Sequence, residues 1–275
     1  MKPTTSFLPS SWVAAIALTA TLSAGSALAA PLYAPFTFTP GVGEQGTLTS
    51  FVANDIGGQY FETFTATSAT DFAVSLVFNA DSFKYVDTNP ALSQFFNASQ
   101  TGLGSNYGLY ALFQATGTYT TTATGTSFTI TPGGTFSFFM DKDLNTTFTA
   151  PATGTSLYSR TLFGDDILLA SGQAVTGTGV PAAGPNLSGA FGQMTTFNLT
   201  PAGMAVFTAP VPFYNFSLQS GQFTDFPIQV GATTTLTGTL NARFINVPEP
   251  MGLALAGMAL VAAGLATRAG RKQAA

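Results

Sequence analysis

Cysteine and histidine are both missing from the 275 residues. Without cysteine there is no disulfide, so a body exported to an oxidising space must be held by its core and its hydrogen-bonded sheets. Without histidine there is no Ser/His/Asp triad, no Cys/His nucleophile and no zinc or iron site built on imidazole. Charge is scarce as well, at 7% of the chain. Between residues 30 and 246 the only basic residues are Lys84, Lys142, Arg160 and Arg243, set against eleven acids. No phosphate-binding groove can be built from that balance, which argues against nucleic acid as a partner. No fixed repeat period is visible, which argues against a solenoid or propeller. What remains open is carboxylate chemistry and the binding of hard cations by oxygen.

Apolar residues, by contrast, make up 45% of the chain and include 26 phenylalanines, enough for a real core. Their period is two. Tyr60, Glu62, Phe64 and Ala66 share one phase, as do Phe72, Val74, Leu76 and Phe78, then Phe136, Phe138 and Met140, and finally Leu236, Gly238, Leu240, Ala242 and Phe244. Threonine fills much of the opposite phase, as suits a pleated surface with one wet face. Turn signals at Asn54-Asp55, Gly57-Gly58, Pro132-Gly133-Gly134, Ser171-Gly172 and Ser220-Gly221 separate the segments. The pattern predicts an all-β fold, an antiparallel β-sandwich or jelly-roll-like domain. Tyr107 to Phe113 lacks alternation and reads as a central strand covered on both faces, or as an edge used for self-association. Ala115 to Thr131 reads as an exposed hairpin, with breaks near Ala91 to Phe96 and Pro185 to Gly192.

The two ends differ from the body. Lys2, the apolar stretch from Trp12 to Ala20, and Ala27-Leu28-Ala29 have the layout of a secretory signal peptide cut after Ala29; a first transmembrane helix is the alternative. At the other end Val247-Pro248-Glu249-Pro250 precedes an apolar run from Met251 to Thr267, closed by Arg268, Arg271 and Lys272. As a helix that run reaches about 25 Å, slightly short of a hydrocarbon core of about 30 Å. Its cations belong on the cytoplasmic side. The alternatives are an ordinary single-pass anchor or a buried helix of the domain. The division is therefore 1–29 signal peptide, 30–246 β body and 247–275 sorting segment with a single transmembrane helix.

The Pro-Glu-Pro element, apolar helix and basic tail resemble the PEP-CTERM sorting signal of Gram-negative bacteria, which is similar in layout to the sortase signals of Gram-positive surface proteins. The resemblance implies passage through the Sec translocon and signal peptidase, transient anchoring in the inner membrane, recognition by an exosortase, and transfer to the cell surface or extracellular matrix. Prolines on both sides of Glu249 keep the tripeptide extended and outside the following helix. Asn54-Asp55-Ile56, Tyr60-Phe61-Glu62, Tyr107-Gly108-Leu109-Tyr110, Phe139-Met140-Asp141-Lys142-Asp143 and Pro212-Phe213-Tyr214 are similar to strings in the flocculation-associated subgroup of PEP-CTERM proteins. That subgroup implies a role in biofilm or floc cohesion with exopolysaccharide, without enzymatic activity, and supplies no site residues.

Three groups are candidates for chemistry. Asp141, Asp143 and Asn145 begin like a calcium loop, and Asp165 beside Asp166 forms a second acidic turn that Ca²⁺ could join to the first. Thr146 and Ala152 stand where an EF-hand wants Gly and Glu, and a capped polar turn is the plainer reading. Glu62 with Asp141 or Asp143 is the nearest thing to a glycosidase pair, Glu62 otherwise being an inward or strand-end carboxylate. Tyr33, Tyr60, Tyr85, Tyr119 and Tyr214 are candidates for stacking on sugar rings. The expectation is an exported, non-enzymatic matrix protein without a required cofactor; a secreted carbohydrate-active enzyme and a self-assembling structural protein are the alternatives.

Overall fold

A computed structural model describes residues 33–41, 48–122, 125–180, 188–224, 226 and 228–245. The expected signal-peptide site at Ala27 and Ala29 lies outside the described residues. So do Val247, Pro248, Glu249, Pro250, Arg268, Arg271 and Lys272. Among the described residues no helix is long and apolar enough to cross a membrane.

The described residues are mostly antiparallel β-sheet, as the period-two pattern predicts. In order, its strands are β1 (Phe36–Phe38), β2 (Phe51–Ala53), β3 (Asp55–Ala66), β4 (Asp71–Tyr85), β5 (Gln94–Phe96), β6 (Gly108–Thr122), β7 (Gly125–Ile130) and β8 (Gly133–Asp141). There follow β9 (Thr147–Thr149), β10 (Ser159–Thr161), β11 (Ile167–Val180), β12 (Ser188–Thr196), β13 (Asn198–Leu199), β14 (Phe207–Ala209), β15 (Phe216–Thr224) and β16 (Thr233–Ile245). Two short helices, α1 (Ala98–Thr101) and α2 (Pro201–Val206), sit in connections. Each starts at a residue whose side chain caps a free backbone N–H: Asn97 in a reciprocal capping box with Gln100, and Thr200 ahead of Pro201.

The large sheet closes on itself. β3 pairs β4, β4 pairs β6, and β6 pairs both β7 and β8; each of these pairs β11, and the ladder returns through β12, β15 and β16 to β3. β7 lies beside the C-terminal half of β6 and β8 beside its N-terminal half, so the two share one position in a ring of eight. Neighbours in the ring are neighbours along the chain, an up-and-down order. The β7–β8 break needs glycine: Gly133 and Gly134 have φ of 118° and 74°, and a Cβ on Gly134 would lie 2.1 Å from the Gln114 carbonyl oxygen. Residues 188–192, expected to form a break, belong to β12. Gly189 lies opposite Phe223, and Phe191 opposite Gly221, so each glycine leaves room for the ring facing it inside a narrow barrel.

The in-phase residues named from the sequence all face the interior. Phe64, Phe72, Phe78, Phe138, Leu240 and Phe244 are buried there. At one end β1 pairs with β2 and β14, and this three-stranded sheet carries Phe36, Phe38 and Phe207 against Phe83, Phe197 and Phe244. Phe36 meets Phe244 edge-on with centroids 5.1 Å apart, and Phe38 meets Phe207 in the same way at 5.1 Å. Each fully buried phenylalanine contributes roughly 1.5–3 kcal/mol, so this plug is a principal source of stability. Outside the barrel, Val77, Tyr110, Leu112 and Tyr158 form a second cluster with Phe139 and Phe148 beneath the β9–β10 hairpin. This is why Tyr107 to Phe113 lacks alternation: Leu109, Ala111 and Phe113 face the core, and Tyr110 and Leu112 the hairpin.

Candidate functional site

Asp141 ends β8 and Asp165-Asp166 immediately precede β11, the strand paired with β8. One carboxylate oxygen from each of Asp141, Asp165 and Asp166 lies within 4.8 Å of the others. The structure thus brings together the two acidic turns, with Asp166 as the third member. Asp143 and Asn145 contribute backbone instead. Asp141 Oδ1 accepts from the N–H groups of Asp143 and Asn145, Asp141 Oδ2 from Thr146 N–H at 3.0 Å, and Asp165 Oδ2 from Asp143 N–H at 3.0 Å. The Asn145 side-chain oxygen is buried without a partner among the described residues.

Asp166 accepts from Thr146 Oγ1 at 2.9 Å and from the Tyr110 hydroxyl, and pairs with Arg160 at 3.4 Å. The Arg160 guanidinium lies between the rings of Phe139 and Phe163, 4.2 and 4.6 Å from their centroids. Burial raises the Asp166 pKa, and the Asp141 charge adds to this; hydrogen bonds from Tyr110 and Thr146, with Arg160, oppose it. The result is a carboxylate group already bound into backbone and arginine, with oxygens close enough to share one hard cation.

A second feature lies on the outer wall. Thr118 of β6 pairs with Thr129 of β7, which pairs with Thr178 of β11; the row continues through Gly192 to Ser220 of β15. All five are exposed. Part of this row borders a cleft of about 410 Å³ lined by Tyr33, Thr176, Thr178, Met194, Leu218, Ser220 and Arg243, among others. Arg243 covers one face of the Tyr33 ring at 3.6 Å from its centroid and donates from Nε to Asp55 Oδ2 at 2.7 Å. Of the tyrosines considered for sugar stacking, Tyr33 is the one at this cleft. Tyr60 and Tyr119 are core residues, their hydroxyls donating to the carbonyls of Gln222 and Ser68. Tyr85 and Tyr214 are half-buried.

The third feature is the lumen. Glu62 faces inward from β3 between Leu236 and Leu76 on the neighbouring strands. It lines a cavity of about 80 Å³ together with Phe64, Phe72, Phe113, Phe128, Phe191 and Phe223. It makes no hydrogen bond or ion pair among the described residues, and burial pushes its pKa up to about 7. Asp141 and Asp143 lie elsewhere, so Glu62 has no carboxylate partner among the described residues lining this cavity.

A second cavity of about 40 Å³ follows toward the plug and shares Leu76, Phe113, Phe191 and Gln193 with the first. Gln219, Ser217 and Gln193 line it. Gln193 and Gln219 were missed from sequence because they sit among Thr and Ser. Their signal was phase, since Gln193 alternates with Phe191 and Phe197, and Gln219 with Phe223.

No family model, no curated protein and no solved structure matches this chain.

Proposed function

We propose that the chain is an exported, non-enzymatic protein of the cell surface or extracellular matrix, sorted by an exosortase and promoting flocculation or biofilm cohesion with exopolysaccharide. The observation that carries this reading is the C-terminal order of Pro248-Glu249-Pro250, an apolar run and Arg268, Arg271 and Lys272. Sec translocation and signal peptidase cleavage after Ala29 precede the sorting step, and the inner membrane holds the chain only in transit.

Two features of the body favour the reading. A sandwich-like barrel whose walls are joined on both sides leaves few unpaired strand edges, and so suits life outside the cell without disulfides. The exposed row from Thr118 to Ser220 and the cleft beside Tyr33 offer hydroxyls and an aromatic edge to a polysaccharide, which binds through the same kinds of group. Ca²⁺ held by Asp141, Asp165 and Asp166 is a further proposal, resting on their convergence.

The test is fractionation of cells with and without the exosortase, followed by mass spectrometry of the mature C-terminus. The expected result is a released body lacking Arg271 only when the enzyme is present. A released product that keeps Arg271 would remove the processing step, and unchanged flocs after gene deletion would remove the cohesive role. For calcium, the full chain should melt higher in millimolar Ca²⁺, and D165N should abolish the shift; an unchanged melting midpoint in the parent protein sinks that proposal.

A further inference from the structure

The interior of the barrel is hollow in its middle and largely apolar in its lining, yet it holds polar groups that no described residue serves. Eight antiparallel positions make a lumen wide enough for side chains or one small ligand. Here the side chains do not fill it. The cavity of about 80 Å³ is well beyond the roughly 10–15 Å³ that one water needs. The two cavities follow one another along the barrel, the first bounded by Phe72 and Phe223 and the second by Phe138 and Phe244. Two small adjoining cavities suit a slender chain rather than a fused ring system.

Its polar groups define the other half of the ligand. Gln219 is 7% exposed. Its Nε2 donates to Thr195 Oγ1 at 3.0 Å and Ser217 Oγ at 2.9 Å, while Oε1 has no partner among the described residues. Turning the amide over does not remove the deficit, because the two hydroxyls would then donate to oxygen and leave the NH₂ unserved. Leaving either group unpaired in a buried site is costly, and a ligand hydroxyl, which both donates and accepts, relieves it in both orientations. Glu62 in the adjoining cavity is served in the same way, since a hydroxyl donates to the carboxylate and accepts from the acid. No Lys or Arg is among the described residues lining either cavity, so a carboxylate ligand would meet Glu62 without a counter-charge. An ammonium would have to shed its water on entry.

We propose that the lumen is a binding site for a short, uncharged alkyl chain bearing a hydroxyl group, with the hydroxyl at Gln219 and the chain against Leu76, Phe113 and Phe191. The site does not depend on the sorting signal.

The probe is 1-hexanol, titrated into the full chain held in lipid nanodiscs with empty nanodiscs as the blank. The readouts are the side-chain amide signals of Gln193 and Gln219 and nuclear Overhauser contacts to the Phe113 and Phe191 rings. Saturable shifts with contacts to both rings are expected, with hexane, hexanoate and hexylamine each about tenfold weaker or worse. Q219M should weaken 1-hexanol binding about tenfold, and V74F or L236F, by filling the lumen, should abolish it. If neither filled variant keeps a native amide spectrum, the ligand series and Q219M decide. Hexane or hexanoate binding as tightly as 1-hexanol would overturn the proposal. So would undiminished binding in Q219M or in a folded lumen-filled variant, or the absence of saturable shifts, which would mean that the lumen holds only water.

Discussion

The two halves of the barrel interior are built from the same residue and differ in what they leave empty. At the plugged end Phe36, Phe38, Phe83, Phe207 and Phe244 are at most 2% exposed, and their rings meet in tilted or edge-on pairs. In the hollow stretch Phe113 and Phe191 face a cavity shared with a lone carboxyl group. The difference teaches that composition alone does not make a solid core. The plug is solid because β1 and β14 bring extra phenylalanines into the mouth of the barrel, whereas the middle has only what its own strands point inward.

Removing a plug ring should have the largest effect. F244A is expected to destabilise the chain by about 3–5 kcal/mol in denaturant melts, since the neighbouring rings cannot all collapse into the space. A loss below about 1 kcal/mol would mean that the plug is no better packed than the hollow.

The hollow half should announce itself through pH. The folded pKa of Glu62, about 7, lies above its ordinary 4.5, so between those values the folded state holds a proton that the unfolded chain has released. The Glu62 contribution to stability should therefore be most favourable below about pH 4.5, fall by about 3 kcal/mol as pH rises through about 7, and level off above. No other ionisable group is among the described residues lining this cavity. E62Q should flatten this dependence across that window and make the chain more stable than the parent at pH 8. Equal slopes in the two proteins would show that Glu62 reaches water.

The outer acidic turn provides the contrast with Glu62, because its carboxylates are already partnered. R160A should cost about 1–2 kcal/mol at neutral pH by leaving Asp166 without its cation and Phe139 without its cover, and the ion-pair share of that loss should fade in acid as Asp166 takes up its proton. The smallest effect is expected on the threonine wall. T118A with T178A should change stability by no more than about 0.5 kcal/mol per site while lowering retention of the protein on exopolysaccharide. Unchanged retention would detach the wall from the proposed function.

The sequence disclosed faces better than partners. Alternation in Phe72 to Phe78 and Leu236 to Phe244 told which side of each strand is buried, because a period of two is a property of a single strand. Closure is a property of pairs, and nothing within β6 says that β7 and β8 will divide its length between them. Glycine misled at residues 188–192, where it marks room for a facing ring rather than a turn. Of the candidate site, Asp141 and Asp165 were legible as oxygen donors, and their meeting depended on the β8–β11 ladder. Asp143 and Asn145 instead gave backbone to the turn, because Asp141 captures their N–H groups.

β16 is hydrogen-bonded on both sides, to β15 and to β3, and ends at Ile245, ahead of the proposed sorting segment in the sequence. Inter-strand bonds lie across the strand direction, so tension drawn along β16 strains many of them together rather than peeling them singly. If the proposed sorting segment tethers the protein, the load would enter through this strand in shear.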